Sequence, residues 1–218
     1  MRNTLLITLL CFLFFACSNK SPNPQKKVVA NSYSRKCSVF ENIPQADSSK
    51  REIVFLGHSL INEFLVNEYM PHGDTVVYTN MGIGGDDVRG MYNRRQQVFD
   101  RSPSTIVVEI GINDLINDES MDTIIYYYEK FLSDTKQLNI DVIICAVIPG
   151  WKELNDKIVY INSFLQEQAQ KHNYKYLDIY TPMENDGMLN SMFDCGDHIH
   201  LTGSGYSLWA DSLMLYLL

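Results

Sequence analysis

The sequence has few cysteines, and no two of them form a C-x-x-C pair. The chain of 218 residues contains five, at positions 11, 17, 37, 145 and 195. Zinc ribbons need closely spaced pairs of thiolates, so the sequence offers no basis for such a site. Cys145 lies in an apolar run and is expected in the core. A disulfide between Cys37 and Cys195 would require an exported location, and the sequence alone does not show that the two side chains meet.

Basic residues are also scarce relative to acidic ones. Lys and Arg number 18 and Asp and Glu 26, so the formal net charge is −8. Nucleic-acid binding needs a basic surface that neutralises phosphates, and attraction to anionic lipid needs one as well. We therefore expect neither nucleic acid nor an anionic bilayer surface as a direct partner.

No apolar run is long enough to span a bilayer, which takes roughly 20 residues. The run from Leu5 to Ala16 follows Arg2 and precedes Cys17, a pattern typical of a secretory signal. The residues Phe14-Phe15-Ala16-Cys17 resemble a bacterial lipobox, in which the cysteine is lipidated and becomes the mature N-terminus. We predict a lipoprotein-type signal over residues 1–17 and an exported, cell-envelope protein that reaches the membrane only through lipidated Cys17. The alternative is an ordinary signal peptide cut nearby.

A polar segment follows the predicted signal. Residues 18–50 are rich in Ser, Asn, Lys, Pro and Gln and show no sustained periodicity, so we predict a tether with a reach of roughly 30 Å. Val39, Phe40 and Ile43 are apolar and are expected to pack on the domain at its end. The remaining residues 51–218 suit one domain with one core.

Within that domain, apolar runs alternate with segments of helical periodicity. The predicted strands are Glu52–Leu56, Thr75–Thr79, Thr105–Ile110, Asp141–Ile148 and Tyr174–Ile179. The predicted helices are Leu60–Tyr69, a segment from about Val88 to Val98, Met121–Gln137, Leu154–His172 and Gly205–Leu217. Five apolar strands that alternate with helices, one of them near-continuous in Val and Ile, favour a parallel sheet covered on both faces. The sequence therefore predicts an α/β fold, a three-layer α/β/α domain with a flavodoxin-like five-stranded parallel sheet in the order 2-1-3-4-5.

Unusual residues follow the first two strands. Gly57-His58-Ser59 ends the first, and Ser59 there can be either a nucleophile or the N-cap of the next helix. The second strand leads into Gly82-Ile83-Gly84-Gly85-Asp86, which is either a plain glycine turn or a backbone that approaches a ligand closely. It is not a dinucleotide fingerprint, because Asp87 stands where the third glycine is needed.

Two further loops carry polar side chains at the same predicted edge. Asn113 follows the third strand, where it can cap a helix or donate to an oxyanion. Asp197 precedes His200 by three residues, so its carboxylate can orient that imidazole. The alternatives for this loop are solvated histidines or a metal site of Asp197, His198 and His200, for which the nearby sequence offers no further carboxylate or thiolate ligand.

In this order along the chain, these blocks resemble the SGNH (GDSL-like) hydrolase superfamily, from about residue 52 to 210. The resemblance rests on Gly57-His58-Ser59, Asn80–Asp86, Gly111-Ile112-Asn113-Asp114 and Asp197–Leu201. It implies Ser59 as nucleophile, His200 as base and Asp197 as the partner of His200. It also implies the N–H groups of Ser59 and Gly85 and the Asn113 side chain as oxyanion donors, with no metal or organic cofactor.

Two residues beside Ser59 refine this resemblance. Ile61 replaces the second glycine of a G-x-S-x-G motif, which argues against the α/β-hydrolase elbow. His58 stands where the SGNH family usually has Asp, a change that can alter the turn or the charge beside Ser59.

The resemblance implies a serine ester hydrolase acting on a small-molecule or glycan ester. Within that superfamily, an exported, anchored and acidic domain most resembles the carbohydrate O-acetylesterases, and this resemblance implies removal of short acyl groups, chiefly acetyl, from carbohydrate. Alternatives are a lysophospholipase or thioesterase, and a catalytically silent glycan-binding lipoprotein. Trp151, Tyr180 and Phe193 are expected to flank the site or to pack in the core.

Overall fold

The structure is a computed structural model that describes residues 24–71 and 73–217, with side chains from residue 32 onward. The predicted signal and Cys17 lie outside the described residues. The helices are α1 (Pro24–Glu41), α2 (Ser59–Glu63), α3 (Val66–Tyr69), α4 (Val88–Asn93), α5 (Arg95–Phe99), α6 (Ile112–Ile116), α7 (Met121–Gln137), α8 (Asn155–His172) and α9 (Gly203–Leu217). The strands are β1 (Arg51–Gly57), β2 (Val76–Gly82), β3 (Thr105–Glu109), β4 (Asp141–Cys145), β5 (Lys175–Leu177), β6 (Glu184–Asn185) and β7 (Met188–Leu189).

Strands β1 to β5 form a parallel sheet in the order β2-β1-β3-β4-β5. This confirms the predicted fold class and strand order. At the carboxyl edge, Gly57 lies beside both Gly82 of β2 and Glu109 of β3. Ligands of open α/β sheets bind at this edge, where the chain crosses from one side of the sheet to the other.

The core has two halves, one on each face of the sheet. Val54 and Leu56 of β1 pack in one half, and Ile53 and Phe55 pack in the other. Successive strand side chains point to opposite faces, so an uninterrupted apolar strand requires a layer of helices on each side. The three-layer arrangement follows from this pattern.

The N-terminal helix α1 differs from the flexible coil expected for residues 18–50. Phe40 is buried in the core, Tyr33 and Cys37 pack against it, and the Tyr33 hydroxyl donates to the Gly90 carbonyl at 3.3 Å. These three residues are spaced by four and three, which is the spacing of one helix face, interspersed with polar residues. Ile43 also packs on the core, whereas Val39 is exposed, contrary to expectation.

The predicted helix Leu60–Tyr69 is divided into α2 and α3. Phe64 has extended backbone angles between them, and its ring is buried in the core. The Asn80 amide donates to the carbonyls of Ile61 and Phe64 at 2.6 and 2.9 Å, replacing the donors that a continuous helix would supply. These two hydrogen bonds therefore hold the end of β2 against α2.

Two other features bear on the sequence predictions. Cys37, Cys145 and Cys195 have free thiols, so Cys37 and Cys195 are not joined. Across the described ranges, none of the helices combines the length and the apolar character that crossing a membrane would require.

Candidate active site

The turn from β1 into α2 presents Ser59 at the carboxyl edge of the sheet. A Cβ atom at position 57 would lie 2.0 Å from the Glu109 carbonyl oxygen, so only glycine allows this approach of β1 and β3. Ser59 is the first residue of α2, and the N–H of that position has no acceptor within its own helix. The N-cap is His58, not Ser59, so the sequence alternative in which Ser59 caps the helix is wrong.

The Ser59 hydroxyl lies within hydrogen-bond distance of a histidine 141 positions later in the chain. Its Oγ is 2.8 Å from His200 Nε2, and His200 Nδ1 is 2.6 Å from Asp197 Oδ2. These two contacts form a continuous path from hydroxyl to imidazole to carboxylate. Ser59 and His200 are both partly exposed.

Asp197 is held by the backbone of its own loop. Its Oδ1 accepts hydrogen bonds from the N–H groups of Ile199 and His200 at 2.9 and 2.8 Å. Partial burial acts to raise the pKa of Asp197, but these bonds and the His200 imidazole outweigh it and lower the pKa to about 2. Asp197 therefore remains ionised wherever the imidazole needs a partner.

A second carboxylate, that of Asp194, binds the backbone of the same loop and pairs with its other histidine, His198. Asp194 Oδ1 accepts from the backbone N–H groups of Gly196, Asp197 and His198, and its Oδ2 lies 2.7 Å from His198 Nδ1. His198 thus pairs with Asp194 and His200 with Asp197. In the described part of the chain, no three His, Cys, Asp or Glu residues are grouped as metal ligands.

Asn113 binds the loop that contains Gly85, through the neighbouring residue Asp86. Gly85 has φ +77°, in the left-handed region that favours glycine. Asn113 is in the first turn of α6, and its side-chain amide donates to the Asp86 carbonyl at 2.9 Å. The amide nitrogen carries a second N–H, which this bond leaves available. The structure therefore brings together the loops that carry all five predicted site residues.

Arg94 holds two of these loops in place, and sequence reasoning missed it. Its guanidinium donates to the Gly57 and Met81 carbonyls at 3.1 and 2.7 Å and to Asp86 Oδ2 at 2.7 Å. Arg94 and Asp86 are both buried, and burial raises the pKa of Asp86 while Arg94 opposes that rise. One side chain thus fixes the ends of β1 and β2 relative to the glycine loop. The sequence signal was an arginine eight residues after Asp86, which no spacing rule identifies.

His58 stands where the SGNH family usually has Asp. It directly precedes Ser59 and is fully buried. Its Nδ1 accepts from the Leu60 N–H at 3.3 Å, so that nitrogen is unprotonated. A neutral ring then carries its proton on Nε2, which lies 3.1 Å from Oε2 of the equally buried Glu109, without the alignment of a hydrogen bond. Ser59 Oγ is 3.5 Å from His58 Nδ1, at the limit of contact. His58 is therefore a helix cap that faces a carboxylate of β3, out of reach of solvent.

Asp114 links α6 to the start of α4. Each of its carboxylate oxygens lies 3.2 Å from the Val88 N–H. Burial first, and then the negative charge of Asp87, raise the pKa of Asp114 to about 7. As pH rises, the unfolded chain loses this proton near pH 3.9, the ordinary pKa of Asp, whereas the folded protein keeps it until about pH 7. Stability contributed by this proton is present at low pH and is lost as pH rises through 7.

We expect Asp114→Asn to remove this pH dependence, because the amide resembles the neutral carboxyl and keeps an oxygen for Val88. The free energy of unfolding of the variant relative to wild type should rise by roughly 2–3 kcal/mol between pH 5 and pH 8. Urea unfolding at both pH values measures it. Asp211→Asn on the exposed face of α9 is the matched control and should leave the change in the free energy of unfolding between pH 5 and pH 8 as it is in wild type. If the Asp114 variant and wild type showed the same change with pH, the prediction would be contradicted.

The chain matches the GDSL-like Lipase/Acylhydrolase family over residues 55–208. It is 26% identical over 166 residues to the platelet-activating factor acetylhydrolase IB subunit alpha2 of Rattus norvegicus and of Mus musculus, a match that covers 72% of this chain and 71% of each relative.

Solved structures share its architecture. A GDSL-like lipase from Bacteroides thetaiotaomicron VPI-5482 superimposes with a TM-score of 0.75 at 21% identity, covering 87% of this chain and 98% of that one. An acetylxylan esterase from Geobacillus stearothermophilus does so with a TM-score of 0.63 at 15% identity, covering 78% and 94%. At these identities the likeness is one of fold.

Proposed function

The chain belongs to the GDSL-like lipase/acylhydrolase family and is an esterase, and from this premise we propose that it hydrolyses esters through Ser59, His200 and Asp197. The observation that carries the proposal is the 2.8 Å contact between Ser59 Oγ and His200 Nε2, with Asp197 Oδ2 at 2.6 Å on the other ring nitrogen. A nucleophile, a base and an orienting carboxylate in this order are the requirements of acyl transfer by serine.

In this mechanism Ser59 Oγ attacks the ester carbonyl while His200 Nε2 accepts its proton. Asp197 stabilises the imidazolium that forms and keeps the ring oriented. His200 then returns the proton to the leaving alkoxide, and an acyl group remains on Ser59. Water attacks this acyl-enzyme as His200 again accepts a proton. His200 then gives that proton to Ser59 Oγ as its bond to the acyl carbon breaks, which releases the free acid and regenerates Ser59.

Negative charge develops on the carbonyl oxygen during both steps. The proposed donors to it are the N–H groups of Ser59 and Gly85 and the free amide N–H of Asn113. Support comes from Ser59 at the start of α2 and from the Asn113 amide bound to Asp86, next to Gly85. Each such donor contributes about 3 kcal/mol to transition-state stabilisation in comparable sites.

We propose a short acyl group, chiefly acetyl, on a carbohydrate. The relatives at 26% identity are named for removal of acetyl, and an acetylxylan esterase has the same fold. Three aromatic residues were expected to flank the site or to pack in the core. Phe193 is buried, and the Tyr180 hydroxyl donates to Asn155 Oδ1 at 2.5 Å. Trp151 is 38% exposed and remains available to stack on a sugar ring.

A series of p-nitrophenyl esters tests the acyl preference. We expect kcat/KM to fall from acetyl to butyryl to octanoyl, because nothing in the proposed mechanism requires a groove for a long chain. A preference for octanoyl would contradict the acetylesterase proposal and favour the lysophospholipase or thioesterase alternative. Acetylated xylo-oligosaccharides and lysolipids, tested at equal concentration, then compare the two substrate classes directly.

We also propose that the protein is an exported lipoprotein anchored through Cys17. The support is the short apolar run before Cys17 and the polar residues that follow it. Radiolabelled palmitate should be incorporated into wild type and not into Cys17→Ala. Unlabelled wild type would overturn this part of the proposal without affecting the esterase assignment.

A further inference from the structure

Glu109 is a buried carboxyl that the proposed mechanism does not use. It ends β3, its side chain is fully inaccessible, and within the described part of the chain neither of its carboxyl oxygens has a hydrogen-bond partner. Buried carboxyls are normally paired or hydrogen-bonded, so an exception calls for another role. Glu109 Oε2 lies 3.1 Å from Nε2 of His58. We propose that Glu109 is a positioning residue, which acts through the His58 ring to hold Ser59 for attack on the ester.

The His58 ring connects Glu109 to the residues around Ser59. Its Nδ1 accepts from the Leu60 N–H at 3.3 Å, and Ser59 lies between these two residues in the chain. Because Nε2 faces Glu109 and Nδ1 faces Leu60, the ring is constrained at both nitrogens, which sets its tautomer and its rotation. The first turn of α2 is therefore held from its His58 side, and with it the direction of the Ser59 side chain and N–H. This inference rests on the proposed role of Ser59 as nucleophile.

The backbone on both sides of this contact is also fixed. Gly57 lies beside Glu109 in the sheet, and a Cβ atom at Gly57 would lie 2.0 Å from the Glu109 carbonyl oxygen. The two side chains thus extend from strand ends that are already in close contact, so a change of length or charge in one of them acts on the other. His58 is itself fully buried and does not reach the substrate, so it acts on the reaction only through α2.

The groups around this pair would not balance a second negative charge. Burial first, and then the charge of Glu109 among other causes, raise the pKa values of Tyr128, Cys145 and Tyr206. These three side chains are therefore neutral at physiological pH. Arg94 reaches the end of β1, but its guanidinium is paired with Asp86 at 2.7 Å. We therefore expect position 58 to accept a neutral imidazole and to reject a carboxylate while Glu109 is present.

Paired substitutions at positions 58 and 109 test the proposal. In His58→Asp a carboxylate can still accept from the Leu60 N–H, since Asp is a preferred N-cap, but it faces Glu109 across a buried contact. We expect kcat/KM for p-nitrophenyl acetate to fall at least about tenfold, because a nucleophile misplaced by about 1 Å loses that much or more. Glu109→Gln should stay within about threefold of wild type, because its amide oxygen can accept from the His58 ring. In His58→Asp/Glu109→Gln the amide can donate to the new carboxylate, so the rate should return to within about threefold of wild type.

Rates are compared per folded molecule, at a temperature where circular dichroism shows each variant folded, because a pair that only stabilised the fold would leave this rate unchanged. The control His58→Asp/Glu63→Gln removes an exposed carboxylate of the same helix and should remain as slow as His58→Asp. A His58→Asp variant as fast as wild type, no rescue by Glu109→Gln, or equal rescue by Glu63→Gln would overturn the role of Glu109 and leave the esterase assignment intact.

Two further outcomes are also decisive. If His58→Asp does not fold, a folded His58→Asp/Glu109→Gln variant with the wild-type rate supports the proposal, and one that is at least about tenfold slower overturns it. A rate that Ser59→Ala leaves unchanged would overturn the proposed function, and the role of Glu109 with it.

Discussion

Ser59→Ala is expected to reduce kcat for p-nitrophenyl acetate by at least about 10³-fold, because it removes the hydroxyl that lies 2.8 Å from His200 Nε2. The substitution removes one oxygen from a partly exposed side chain, so the fold should be unaffected. Activity and the thermal midpoint are measured on the same preparation. Loss of rate with an unchanged midpoint would support Ser59 as the nucleophile.

The matched control is Ser163→Ala, an exposed serine on α8 whose hydroxyl donates to the Val159 carbonyl within its own helix. It should keep the wild-type rate. A Ser59→Ala variant as active as wild type would remove Ser59 from the mechanism. Absence of turnover in wild type itself would favour the catalytically silent glycan-binding alternative, for which His58 is the sequence feature.

Arg94→Ala is expected to lower the free energy of unfolding by roughly 3–5 kcal/mol, the cost of removing one partner of a buried ion pair. Asp86 would be left as a buried carboxylate without its cation, and the Gly57 and Met81 carbonyls would lose their donor. Because the same side chain fixes the glycine loop, kcat should fall as well, even at temperatures where the variant remains folded. Urea unfolding and steady-state kinetics measure the two effects.

Arg89→Ala is the comparison for this second prediction. Arg89 also pairs with a carboxylate, Glu119 at 3.1 Å, but both side chains are substantially exposed. Solvent screens such pairs, so the expected loss is below about 1 kcal/mol. If Arg94→Ala lowered the free energy of unfolding no more than Arg89→Ala does, Arg94 would not hold these loops in the way that its contacts indicate.

The sequence alone predicted the architecture because the relevant signals are local. Uninterrupted apolar residues in β1, β3 and β4 indicated strands buried on both faces, and glycines or polar residues marked the carboxyl ends of β1 and β3. Parallel strands bring those ends to one edge, so Ser59, Gly85, Asn113 and the loop of Asp197 and His200 were expected together before any distance was known. The catalytic roles of these residues remain predictions for the substitutions above to test.

Only the tertiary structure decided what supports and surrounds that edge. His58 faces Glu109, and Arg94 reaches Gly57, across 51 and 37 positions respectively, and no short-range pattern encodes such pairs. Helix α1 was missed because its apolar residues are separated by polar ones, and packing on the core, rather than intrinsic propensity, stabilises such a helix. The polar strand ends were thus determined by sequence, whereas the His58 cap before Ser59, the Arg94–Asp86 pair and the packing of α1 depend on contacts that exist only after the sheet has formed.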